Sequence, residues 1–212
     1  MKNKLIPLLL AAPLVLWAQG ATAQVLTVKM GGAFIDVSSR TTGLVGIGVP
    51  SGSDIQVGDA STLTFGYEHK LSPTLSIELA AGIPPKHDTT ATGPISFLHK
   101  VSSVKQFAPT LFLNYAFGSE GAALRPFVGI GVNYTKFVDI KSELGQKIEL
   151  SDSVGLAVQA GVNYAIDKQW GLYAAFAMAD VKSDMVATAN TVQTTRIDFR
   201  PKVFSAGLSY KF

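Results

Sequence analysis

Val203-Phe204-Ser205-Ala206-Gly207-Leu208-Ser209-Tyr210-Lys211-Phe212 ends the chain and decides its fold. Side chains on a β-strand alternate between two faces. Phe204, Ala206, Leu208, Tyr210 and Phe212 make one apolar row; Val203, Ser205, Gly207, Ser209 and Lys211 make a smaller, more polar one. A strand with lipid on one side and a lumen on the other requires this pattern, and a transmembrane β-barrel closes on such a strand.

The same alternation recurs seven times upstream, with apolar rows in 26–34, 63–67, 75–83, 111–117, 128–134, 156–164 and 170–178. The reading is all-β: an eight-stranded antiparallel transmembrane barrel. An even strand number puts both termini at one end. About ten residues at ~3.3 Å each, tilted by ~45°, span roughly 23 Å, close to the apolar band of an outer-membrane barrel. Long connections are expected near 38–60, 84–106, 139–153 and 181–197, and short ones near 69–73, 118–123 and 166–169. Outer-membrane barrels keep long loops outside and short turns in the periplasm, so both termini are predicted to be periplasmic. Tyr67, Tyr115, Phe117, Tyr164, Trp170, Tyr210 and Phe212 then fall at the periplasmic strand ends, and Phe34, Phe107 and Tyr134 at the other. Two aromatic girdles suit a bilayer. A soluble eight-stranded barrel would turn its apolar face inward and would not gather aromatics at one rim.

Lys2 and Lys4, the apolar run 5–17 and the small residues Ala21-Thr22-Ala23 read as a secretory signal over residues 1–23, leaving one domain over 24–212. Removing that leader takes away two of the 18 basic residues and none of the 15 acidic ones, so the near-balance that remains gives no nucleic-acid patch. Without cysteine there are no disulfides or thiolate metal sites. No downstream stretch is apolar for the ~18 residues a membrane helix requires. His69, His87 and His99 lack metal-ligand spacing, and topology separates His69 from the other two. Asp88, close to Pro85, reads as turn chemistry. No cofactor, metal or catalytic residue is predicted, and no enzymatic activity is expected.

The sequence resembles the OmpW family of small outer-membrane proteins over the whole mature chain. The resemblance rests on Pro84-Pro85-Lys86-His87-Asp88, on Ser103-Val104-Lys105 leading into Pro109-Thr110-Leu111, on the run from Arg125-Pro126-Phe127 to Asn133-Tyr134, and on the ending Gly207 to Phe212. Residues 54–66 look closer to the AlkL branch. The resemblance implies an eight-stranded barrel with a narrow apolar channel for small hydrophobic molecules. It also implies that some members are bacteriocin receptors and that the barrel-assembly machinery reads the terminal aromatic, here Tyr210 and Phe212.

An eight-stranded barrel has room only for side chains or one small ligand, which excludes a wide aqueous pore. Phe112, Phe127, Gly129, Gly131, Gly155, Ala157, Tyr173 and Ala175 are the expected lumen lining. Its small residues either leave space or relieve strain where the sheet coils. If they leave space, Phe at Gly131 would fill it. Lys29, Glu68, Glu78 and Arg125 are expected to form a paired polar floor, since unpaired buried charge is costly. In the outer loops, Leu44, Val45, Ile47, Val49, Ile55, Phe97 and Leu98 are expected to extend a greasy funnel above the membrane, because apolar loop patches mark contact sites. The leading function is passive uptake of small hydrophobic solutes with lateral exit into outer-membrane lipid. The alternative is a structural or adhesive barrel, or a bacteriocin or phage receptor, with a plugged lumen.

The signal reading makes a direct prediction: the mature chain begins at Gln24. Intact mass of protein purified from outer membranes should match cleavage after Ala23. A mass retaining residues 2–23 would refute it.

Overall fold

A computed structural model describes residues 26–212, so the signal reading of residues 1–23 lies outside the described residues. Eight strands carry the alternating rows: β1 (Leu26–Val37), β2 (Ala60–Lys70), β3 (Leu75–Gly82), β4 (Thr110–Ala116), β5 (Leu124–Ser142), β6 (Ser153–Ala165), β7 (Trp170–Ala179) and β8 (Pro201–Lys211). Each pairs antiparallel with the next in sequence, from β1 with β2 to β7 with β8. Residues Thr27 to Val37 of β1 then pair with Lys211 to Pro201 of β8, which closes the ring. Closure is what hydrocarbon demands, because an open sheet edge there would leave backbone N–H and C=O groups without partners.

The two faces are inverted relative to a soluble protein. Lys29, Phe112, Phe127, Ala157 and Tyr173 are buried inside, whereas Ile130 is 66% and Leu156 75% exposed outside. A continuous exposed aliphatic band of this kind is stable only against lipid. At the short-turn end Trp170 meets Tyr210 at 4.9 Å between ring centroids, and Tyr210 meets Phe212 at 4.8 Å, both edge-on. The Phe212 amide donates to the Leu26 carbonyl at 3.0 Å, so the last residue is tied into the closing seam.

The outer connections depart from the expectation of plain loops. They continue the wall as two further sheets. One joins Asp54–Val57, Lys86–Thr92, Lys100–Phe107 and the upper part of β5. The other joins Lys147–Leu150, Lys182–Thr188, Val192–Asp198 and the short strands Arg40–Thr41 and Val45–Gly46. The alternation simply persists past the membrane: Ser183, Met185, Ala187 and Ile197 are buried, while Lys182, Asp184 and Arg196 are exposed. For the same reason β5 runs on to Ser142, well beyond the 128–134 row. Asp88 lies in one of these strands, 3.0 Å from Lys100, and not in a turn. The inner faces share an apolar cluster that includes Val37, Ile55, Val57, Val104, Phe137, Met185 and Phe199, with Phe137 stacked on Phe199 at 5.1 Å.

Phe212 closes the seam and belongs to the lower aromatic girdle, so its loss should impair assembly before anything else. Deleting Phe212 should lower the fraction of heat-modifiable, folded protein in the membrane. Normal folded levels would refute this.

Candidate functional site

The lumen is divided by an ion cluster. Lys29 on β1 is 2% exposed, and its Nζ lies 2.8 Å from Glu68 on β2 and 3.1 Å from Glu78 on β3. Asn114 on β4 donates to Glu78 at 2.7 Å, and Gln159 on β6 donates to Asn114 Oδ1 at 2.7 Å. Ser76 donates to Glu68. The Lys29 ammonium also sits 5.2 Å from the Phe127 ring and 5.7 Å from the Tyr173 ring. Two carboxylates and two ring faces therefore hold one desolvated cation, the arrangement a buried charge needs.

Arg125 is not part of this cluster. It stands two residues below Phe127 on the inner row of β5, about 6.6 Å lower along the strand. There it lines a separate cavity of about 210 Å³ at the short-turn end and donates from Nη2 to the Pro73 carbonyl at 2.8 Å. Relative height across a tilted sheet depends on strand stagger, which alternation in one chain does not reveal.

Above the cluster lies a cavity of about 170 Å³. Phe112, Phe127, Ala157, Tyr173 and Ala175 line it, joined by Ala33, Ile35, Ala177, Ala179 and Val181. Gly129, Gly131 and Gly155 face inward but are absent from this lining. A Cβ on Gly131 would run into the Leu111 carbonyl and the Phe112 ring, and one on Gly155 into the Asp180 carbonyl. Close strand approach explains Gly131 and Gly155, and the Asn114 and Gln159 side chains occupy the space beside Gly129, so none of the three marks free space. Phe at Gly131 therefore cannot fill the lumen without displacing β4.

The cavity reaches a gap in the wall. Strands β3 and β4 pair as far as Ala80 opposite Thr110. The next backbone bond between these two segments is Gln106 N–H to the Pro85 carbonyl at 3.2 Å. Between those points Ala81 to Pro84 face Phe107 to Pro109 without a ladder. Pro84, Pro85 and Pro109 have no N–H to give. Ile83 donates instead to Leu63 at 3.0 Å, and the Pro109 carbonyl accepts from Tyr134 at 3.0 Å, so each side bonds away from the gap. Ala81, Gly82, Pro85, Gln106 and Ala108 all belong to the cavity lining.

The seven loop residues do not gather on one surface. Ile55 is in the apolar cluster and Leu44 packs against it. Val49 and Leu98 are half-buried. Val45 is exposed, and Ile47 and Phe97 stand out at 81% and 70% exposure. Sequence reading missed the cluster's main members, Phe137, Met185 and Phe199, although their alternation with charged residues was visible. His87 is fully buried beside it. Its Nδ1 lies 2.8 Å from the Gly58 carbonyl, and the Gly58 amide donates to the Asp88 main-chain carbonyl at 2.8 Å. Burial holds the His87 pKa below the usual histidine value, outweighing the Gly58 carbonyl and Asp59, so the ring is neutral and Nδ1 is the donor. His87 thus ties the first outer sheet to the chain entering β2.

With this geometry in hand, comparison with known proteins is specific. The model of the OmpW family matches residues 23–212. Outer membrane protein W of Vibrio cholerae is 31% identical, the match covering 71% of this chain and 72% of that protein. Outer membrane protein AlkL of Ectopseudomonas oleovorans is 29% identical over 79% of this chain and 73% of its own length. The crystal structure of outer membrane protein OprG from Pseudomonas aeruginosa superposes with a TM-score of 0.83 at 26% identity, covering 91% of this chain and 98% of that one.

The ion cluster yields a stability prediction. Lys29→Ala leaves two carboxylates facing each other inside the lumen and should cost about 3–5 kcal/mol. The readout is the urea midpoint of the folded barrel in detergent. Adding Glu78→Gln to Lys29→Ala should recover part of the loss. An unchanged midpoint for the single variant would show that the cluster carries no stability.

Proposed function

The chain belongs to the OmpW family and is an integral outer-membrane β-barrel, and on that premise we propose that it is a passive channel for small hydrophobic molecules, with lateral exit into the membrane. The observation that carries this reading is the continuity of an apolar cavity with the proline-bounded gap between β3 and β4. A solute arriving from outside must part the apolar side chains packed between the two outer sheets, Leu44 and Ile55 among them, before it reaches the cavity. Beneath the cavity the Lys29 cluster bars the straight path, because passage would mean prising apart a desolvated ion pair. Sideways movement breaks no ladder bond, since none spans the gap. The partners of such a channel are the solute, the surrounding lipid and, during biogenesis, the assembly machinery that reads Tyr210 and Phe212.

A second reading, a receptor or adhesive barrel for a bacteriocin or phage with a closed lumen, draws on Val45, Ile47 and Phe97, whose exposed side chains give the outer tips an apolar character.

Ala175 separates the two. It lines the cavity and keeps part of its surface free there, and it faces away from lipid. Ala175→Phe should fill the cavity without touching the outer tips. Whole cells expressing the wild type should take up a volatile alkane or terpene several-fold faster than a knockout. Ala175→Phe should lose most of that advantage at equal folded protein. No wild-type advantage, or full transport by the filled barrel, would leave the receptor reading in its place.

A further inference from the structure

Among the polar side chains of the cavity lining, Gln106 stands apart. Most of the others satisfy each other. Asn133 donates to Thr110 Oγ1 at 2.8 Å, and Thr135 donates to Asn133 Oδ1 at 2.7 Å. Gln159 is taken up by Asn114 and Glu78. Gln106 is only 8% exposed, yet its Nε2 has no hydrogen-bond partner. A buried amide N–H left unpaired is destabilising, and an apolar side chain of the same length would avoid that cost.

Its position gives the unpaired group a use. The Gln106 backbone N–H makes the bond to Pro85 that marks the upper limit of the wall gap. Gln106 therefore stands where the cavity meets the lateral exit, with Pro85 and Ala108 as apolar neighbours in the lining, and because its Nε2 has no free surface a solute reaches it only by parting the lining at that point. A plain hydrocarbon crossing here would leave the amide unsatisfied. A hydrophobic molecule with one oxygen would not: a carbonyl can accept from Nε2, and a hydroxyl can pair with either end of the amide.

We infer that Gln106 is a specificity-determining residue that makes the barrel favour small apolar molecules carrying a single oxygen function over hydrocarbons of equal size. The inference rests on the channel reading and adds to it a solute class and the residue that selects it. Sites built to hydrogen-bond an oxygen discriminate against the analogue that lacks it, because the partner group is then left unpaired.

The test compares 2-octanone with n-nonane, which have equal numbers of heavy atoms, in cells of a knockout strain carrying the wild type or Gln106→Met. The readout is the ratio of the two protein-dependent uptake rates, so intrinsic differences between the solutes cancel between strains. Gln106→Met keeps side-chain length and the backbone bond to Pro85, and Gln106→Leu provides a second apolar variant should the first assemble poorly. The expected result is a ketone-to-alkane ratio that falls roughly fivefold in either variant at equal folded protein, with nonane uptake equal to or above wild type. An unchanged ratio alongside clear uptake of both solutes overturns the role of Gln106 and leaves the channel standing. Absence of protein-dependent uptake of both solutes in the wild type overturns the channel reading itself, and the inference with it.

Discussion

Backbone hydrogen bonding in hydrocarbon is the constraint on which the rest depends. Water cannot satisfy a peptide group inside a bilayer, so each wall strand must be paired on both sides. That requirement closes β1 on β8 and turns the aliphatic rows outward, and it gives the gap between β3 and β4 its meaning. Three prolines remove donors between β3 and β4, and the chain on either side bonds to its other neighbour instead. The gap lies beside Ile83 and Phe107 and close to Tyr134, residues of the upper rim of the apolar band. Missing ladder bonds cost least there, where lipid headgroups and water can reach the backbone. A comparable gap at mid-height would expose polar backbone to acyl chains.

The interior obeys a second constraint, the cost of isolated charge. A lone Lys29 ammonium in a lumen this narrow would be an unpaired buried charge, which Glu68 and Glu78 offset, and Ser76, Asn114 and Gln159 donate to the carboxylates in turn. The cluster fills the middle of the barrel and divides the empty space into a charged lower chamber and an apolar upper one. The upper chamber has walls of Ala, Phe and Tyr and opens toward lipid. The lower one holds Arg125, Lys70 and Lys211 and belongs to the aqueous side.

The eight wall strands were legible in the sequence because lipid makes the alternating pattern long and regular, and the aromatic girdles gave an independent check on orientation. The outer sheets were less legible. Residues 182–188 and 192–198 alternate as cleanly as the wall, but charged side chains on their solvent face resemble loop composition. Glycine was ambiguous for a plain reason: its presence reports a missing Cβ and does not say whether the space is empty or occupied. At Gly131 the space is occupied by β4. Arg125 was grouped with Lys29 because both lie on inward rows, but stagger between tilted strands sets their heights apart. Pro84, Pro85 and Pro109 were visible as residues, and only the register of β3 against β4 turns them into one gap.

Lys29 also bears on how the barrel reaches its final state. Its ammonium touches groups from β2, β3, β5 and β7, and through Glu78 it is linked to β4 and β6. A strand inserted one residue out of register would point a lysine at acyl chains and two glutamates at nothing. A slip of two residues would restore the facing but separate the charges by a full repeat. Misthreaded intermediates are therefore penalised most heavily at the moment the cylinder shuts, when the carboxylates and their cation must coincide. The same side chains that interrupt the lumen thus make barrels whose backbone ladders are complete but wrongly matched less stable than the native one.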